Sequence, residues 1–309
     1  MQNLDEWRGG AQFMNFGDQR IAWWAHEDPG ADKPWLLLIH GYPTSAWDWT
    51  ALWPALTQRF NLLALDMLGF GLSDKPSKHR YSIFGQADLQ EALLEHVNVA
   101  ETHLFVHDYG NTVGQELIAR HNEKSLSVSI KSAVFLNGGI FPEQHRARLS
   151  QKLGLTPLGP LLGKMMNRDR FRAAFDEVFG PNTKASDLEI TNHWKLICEN
   201  DGPAVLHKLL QYIPERRANR SRWVGALQET TIPMRLIDGG FDPVSGEHLY
   251  HHYRQEIPDA DAVLLEDIGH YPHTEAPERV LEAFLAFHDN LNNRAGAAAR
   301  IASIDDRAE

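Results

Sequence analysis

Three residues far apart in the chain carry the side chains needed for a two-step displacement: Asp108, Asp242 and His270. A carboxylate is already ionised at neutral pH, so Asp108 can attack a saturated carbon without a base and form an alkyl ester. A serine in its place would first need its proton removed. His270, oriented by Asp242, would then activate a water that hydrolyses the ester. The hydrolysis passes through a tetrahedral oxyanion, which needs two backbone N–H donors. Tyr109, directly after the nucleophile, offers one, and Tyr42, in an earlier loop, offers the other.

These residues require elements that hold them at one edge of a sheet. Thr102–Val106 reads as a short buried strand, and a helical pattern begins near Asn111 with Val113, Leu117 and Ile118 on one face. The turn between them, His107-Asp108-Tyr109-Gly110, has the setting of a nucleophile elbow, with Asn111 where many elbows carry a second glycine. Pro34–Ile39, Phe60–Leu65 and Ile130–Leu136 are continuous apolar runs, as expected for strands buried on both faces. Ile232–Ile237 leads to Asp242, and Ala262–Leu265 leads to His270. Helices are expected from about Ser45, over Phe84–Val97 and from Pro277, and Ala11–Phe16 with Arg20–His26 reads as a hairpin. Strands alternating with helices predict a mostly parallel α/β sheet. The order nucleophile, acid, histidine at three strand ends is that of the α/β-hydrolases. An isolated aspartate after a strand is more often a turn or cap residue; three in this order favour chemistry.

The alternation stops between about Ile140 and Gln228, where the sequence is helical and more basic. Residues 1–139 and 229–290 therefore read as the α/β core. Residues 140–228 read as a helical cap inserted above the strands' carboxyl ends, where open α/β sheets bind ligands. Residues 291–309 read as a polar tail whose alanine-rich part, Asn293–Ala299, is expected to be a frayed helix or disordered.

Composition narrows the partners. With 309 residues, 43% of them hydrophobic, the chain can bury one large core. A formal charge of -11 argues against nucleic acid or an anionic membrane surface as the main partner. No apolar run approaches the ~18–20 residues of a membrane span. A polar, acidic N-terminus and a single cysteine, Cys198, suit a soluble cytoplasmic protein. The expected partners are a small hydrophobic organic substrate and water; no cofactor or metal is expected.

The elbow, with His40-Gly41-Tyr42-Pro43 upstream, resembles the epoxide hydrolase and haloalkane dehalogenase branch of the α/β-hydrolases. The chain is similar over roughly Gly10 to Phe287 to the mesoderm-specific transcript protein family, an epoxide-hydrolase-like group. Leu68-Gly69-Phe70-Gly71-Leu72-Ser73-Asp74-Lys75-Pro76, Asn137-Gly138-Gly139-Ile140-Phe141-Pro142-Glu143 and Arg222-Trp223-Val224-Gly225-Ala226-Leu227 carry that similarity. The resemblance implies an α/β-hydrolase fold with a cap. It also implies cap tyrosines that protonate an epoxide oxygen; Tyr212 matches, with His193 or His207 as a second donor. Haloalkane dehalogenases usually hold the halide with a tryptophan after the nucleophile, where this chain has Tyr109; Trp194 or Trp223 would have to serve instead. The expected function is a cofactor-independent hydrolase of epoxide hydrolase type. Haloalkane dehalogenation, ester or lactone hydrolysis, and a non-catalytic binding protein are the alternatives.

Other features read as structural. His248, His251 and His252 share the spacing of a metal pair, but their polar surroundings suggest an exposed helix. The basic clusters Arg168–Arg172 and Arg216–Arg222 read as solvated faces or salt-bridge partners. His40 and Asp66 are expected to brace loops beneath the site.

Overall fold

A computed structural model describes residues 3–305. Eight strands form one sheet: β1 (Gln12–Phe16), β2 (Gln19–His26), β3 (Trp35–Ile39), β4 (Asn61–Leu65), β5 (Glu101–Val106), β6 (Ser129–Phe135), β7 (Met234–Gly239) and β8 (Asp261–Leu265). Their order across the sheet is β1-β2-β4-β3-β5-β6-β7-β8. β2 runs antiparallel to β1 and β4, and every other pairing is parallel.

The continuous apolar runs serve both faces of this sheet. Leu37, Ile39, Leu63, Leu104, Val106 and Phe135 pack to one side, with Leu89, Leu93, Val113 and Leu117 from the helices Ile83–His96 and Tyr109–Asn122. Their neighbours Leu36, Leu38, Leu62, Phe105 and Val134 pack to the other, with Trp49, Val280 and Phe284. Alternate residues of a strand face opposite sides, so only a run without polar interruptions can fill two cores.

Between β6 and β7 lie only helical elements, from Leu149–Gly154 to Arg220–Glu229. The helix expected from Ser45 is instead a 3-10 segment, Ala46–Ala51, followed by a short α-helix, Trp53–Leu56. Pro54 explains the break, because it has no N–H to continue the preceding ladder. An unforeseen N-terminal helix, Leu4–Gly9, is capped by Asn3 and Glu6. The final helix spans Pro277–Asp305 and passes through the alanine-rich stretch; 306–309 lie outside the described residues. Among the described residues no helix is long and apolar enough to cross a membrane.

The helix Glu247–Glu256 is less exposed than its polar sequence suggests, because Leu249 and Tyr253 are buried. Its histidines do not converge: His248 meets the Gln144 carbonyl, His251 faces Glu247 and His252 faces Glu143. Most of the basic residues pair with acids, Arg168 with Asp187, Arg220 with Glu143, and Arg222 with Glu116 and Glu123. Arg216 departs from that expectation and is buried.

Two glycines set how closely the β5 elbow approaches its neighbours. A Cβ at Gly110 would lie 2.4 Å from the Ile39 carbonyl oxygen and 2.7 Å from that of His40. A Cβ at Gly138 would lie 2.6 Å from the Asp108 Cα. These contacts are with backbone, which cannot rotate away. Gly110→Ala should therefore destabilise the fold by about 1–3 kcal/mol, the usual range for overpacking, measured by urea unfolding. Unchanged stability would show that β3 and the elbow are not held this closely.

Candidate active site

The elbow forms because β5 ends beneath a helix that starts one residue after Asp108. Asp108 has φ 50° and ψ -107°, a conformation that costs a non-glycine residue about 1–3 kcal/mol. Its N–H donates to the Asn137 carbonyl at 2.8 Å, and His107 N–H donates to that of Ile39 at 3.0 Å. Asn111 does not loosen the turn: its Nδ2 donates to the Leu136 carbonyl at 2.7 Å.

The loops after β7 and β8 bring the other two residues to this tip. His270 Nδ1 donates to Asp242 Oδ2 at 2.6 Å, and His270 Nε2 stands 3.8 Å from Asp108 Oδ2. The second distance is a charge contact, not a hydrogen bond. Asp242 also accepts from the N–H groups of Val244 and Ser245, the Ser245 hydroxyl and Asn137 Nδ2. All three side chains are buried.

Electrostatics follow from that burial. For Asp242, burial opposes ionisation, but His270 and the donated hydrogen bonds outweigh it and hold the pKa at about 2. Burial likewise opposes ionisation of Asp108, yet His270, with help from His107 and Arg216, keeps its pKa below the ordinary value. Burial disfavours the His270 cation, but the two carboxylates raise its pKa well above 6.5. The two carboxylates thus favour the charged form of the ring, and the ring favours theirs.

The backbone N–H groups of Tyr42 and Tyr109 donate to no protein acceptor among the described residues, which leaves both free for an oxyanion. His40 and Asp66 brace as expected. Met67 N–H donates to His40 Nε2, and Asp66 accepts from the N–H groups of Ala46 and Leu72.

Asp108 and His270 open onto a largely apolar cavity of about 150 Å³. That is the size of an engineered apolar cavity that binds benzene, so the space suits a small ligand. Its wall includes Tyr42, Phe175, Trp194, His207, Leu210 and Tyr271. His193 is buried elsewhere, beside Asp48. Trp223 is not available to a ligand, because its Nε1 donates to Glu116 at 2.8 Å.

Tyr212 is buried, with its ring 5.0 Å from Tyr109 and 6.3 Å from Tyr42. It is not part of the cavity wall; Gln151, which is, approaches its hydroxyl at 3.5 Å. Burial first, then the Asp108 charge, raise its pKa well above 10, so it stays protonated. Arg216, unforeseen here, lies over the Tyr212 ring at 4.7 Å and donates from Nε to Thr112 Oγ1. The i,i+4 spacing of Tyr212 and Arg216 on one helix was the signal available in the sequence.

Residues 34–277 match the alpha/beta hydrolase fold family. The chain belongs to that family and is a hydrolase of its superfamily. It is 42% identical to the human mesoderm-specific transcript homolog protein over 294 residues, 92% of this chain and 87% of that one. A haloalkane dehalogenase from Sphingobium indicum is 33% identical over 144 residues, 45% of this chain and 47% of that one. The solved structure of the epoxide hydrolase CorEH superposes with a TM-score of 0.73 at 18% identity, covering 91% of this chain and 99% of that one, which speaks for the fold.

The charge pattern is testable without a substrate. Asp108 raises the pKa of His270, so Asp108→Asn should lower it. The imidazole would then lose its proton at lower pH than in the wild-type chain, as followed by NMR titration of the ring. An unchanged or higher value would mean that Asp108 does not face His270 as a carboxylate.

Proposed function

We propose that the chain hydrolyses small apolar electrophiles through a covalent ester on Asp108, with epoxide opening as the preferred reaction. The observation that carries this reading is the carboxylate at the elbow tip, 3.8 Å from His270 and facing a small apolar cavity. Asp108 attacks one epoxide carbon, the C–O bond breaks, and the alkoxide takes a proton from Tyr212, whose hydroxyl must first turn past Gln151 of the cavity wall to reach it. Neither step needs a base, so an imidazolium at rest is no obstacle.

Ester formation removes the Asp108 charge. His270 then loses one of the two carboxylates that raise its pKa, and its proton passes through water to the Tyr212 phenolate, restoring the phenol. The neutral ring, held by Asp242, takes a proton from water, which attacks the ester carbonyl. Tyr42 and Tyr109 N–H groups receive the oxyanion, and the diol leaves as the Asp108 carboxylate is restored. Residues 140–228 act in this reading as a cap that closes the cavity and supplies Tyr212.

Haloalkane dehalogenation is the second reading, and Trp194 in the cavity wall favours it. Without a tryptophan at Tyr109, and with Trp223 committed to Glu116, it lacks a second indole donor. Ester hydrolysis and simple binding draw on no observation of their own.

His270→Gln should still be alkylated but should not turn over, so a small epoxide should add its own mass to the intact protein. Asp108→Ala should gain no mass. Tyr212→Phe should lower epoxide turnover by about 10²-fold or more, the usual worth of a positioned acid, and leave bromoalkane alkylation unchanged. If the His270 variant gains no mass from epoxides or bromoalkanes, the covalent reading fails. If it gains mass from bromoalkanes alone, the second reading replaces the first.

A further inference from the structure

Behind the elbow, residues that no step above uses come together. Asp48, His107 and His273 each present one potential ligand atom, and these atoms all lie within 4.8 Å of one another. The three side chains are buried, at 3%, 0% and 0% exposure. Asp48 Oδ1, His107 Nδ1 and both ring nitrogens of His273 have no hydrogen-bond partner. His193 Nδ1 is also unpartnered and stands 3.7 Å from Asp48 Oδ1. Buried polar groups are nearly always satisfied, and leaving one bare is destabilising. Several in one place point to an occupant.

We propose that Asp48, His107 and His273 bind a divalent transition-metal cation of the zinc(II) type, with His193 as a fourth donor at the rim. The ligands are already oriented. His107 Nε2 lies 2.8 Å from the His270 carbonyl oxygen, which can only accept, so Nε2 carries the proton and Nδ1 presents a lone pair. An imidazole whose second nitrogen donates to a backbone carbonyl is the usual arrangement of a metal-bound histidine. Thr44 Oγ1 donates to Asp48 Oδ2 and leaves Oδ1 free.

The donor set also decides the kind of occupant. His107 Nδ1 and one nitrogen of a neutral His273 ring offer lone pairs, and a cation would displace the proton that burial favours on Asp48. Two imidazoles and one carboxylate suit zinc(II) and disfavour magnesium or calcium, which need six or more oxygens. Bonds of ~2.0–2.1 Å place ligand atoms on a tetrahedral zinc about 3.4 Å apart, so the cluster draws inward on binding. Through His107 the cation would then hold the backbone of His270 from below, a supporting role outside the reaction.

The chain, stripped with a chelator, is titrated with cobalt(II) while tetrahedral d–d absorption is followed. Zinc retained after dialysis is counted by mass spectrometry. Binding of about one equivalent is expected. Asp48→Asn and His273→Gln should each weaken it at least tenfold, and Thr44→Val about tenfold, whereas the exposed His251→Gln should bind like the wild-type chain. If the wild-type chain takes up neither metal, or if both ligand variants bind undiminished, the site is not a metal site. The wild-type titration decides even if a variant fails to fold. Turnover is not read, so failure here leaves the hydrolase reading untouched.

Discussion

Two buried carboxylates face one imidazole. Asp242 hydrogen-bonds to one ring nitrogen of His270, and Asp108 stands across from the other. Burying an unpaired charge is costly, so the two carboxylates favour a compensating proton on the ring. Arg216, buried behind Tyr212, supplies a second positive charge that also lowers the pKa of Asp108. Two negative and two positive charges thus balance inside a water-poor site. In the proposed mechanism that balance makes the chemistry sequential: Asp108 is ready first, and His270 is released as a base once Asp108 has been neutralised.

The sheet exists, for this purpose, to hold Asp108 in a conformation it would not choose. The strained backbone of Asp108 is braced on two sides, by the end of β3 and by the residues after β6. Ile39 and Asn137 accept the N–H groups of His107 and Asp108, and Gly110 and Gly138 let neighbouring backbone approach without a Cβ between. Asp242 and His270 come from the next two strands outward past β6, so the spacing of parallel strands sets their distance from the elbow. The proposed oxyanion donors, the N–H groups of Tyr109 and Tyr42, are by-products of the same geometry. One N–H opens the helix after the elbow, and the other lies in the loop after β3, the strand beside β5.

Much of this was legible in the sequence because it depends on local pattern. A strand buried on both faces must be apolar throughout, so Pro34–Ile39 and Phe60–Leu65 betray themselves, and the residue after each strand is a candidate for the site. Arg216 was only faintly legible: its i,i+4 spacing from Tyr212 is in the sequence, but a cluster of arginines reads as surface until Tyr212 and Thr112 are seen to enclose one of them. The Asp48, His107 and His273 cluster was invisible for a related reason. Its members come from the 3-10 segment Ala46–Ala51, the elbow and the short helix Pro272–Glu275, and only the tertiary fold brings them together. Tyr212 was recognised as a tyrosine near the site, but only the structure shows it packed between Tyr42 and Tyr109, outside the cavity wall.

The central claim is that oxygen passes to the product by way of Asp108. A single turnover in H₂¹⁸O, with enzyme in excess over a small epoxide, tests it directly. Water that attacks an ester carbonyl leaves its oxygen on the carboxylate. The account therefore predicts ¹⁸O in the peptide containing Asp108 and an unlabelled first product. Label in the first product, with none on Asp108, would mean that water attacks the substrate itself and that Asp108 is not the nucleophile.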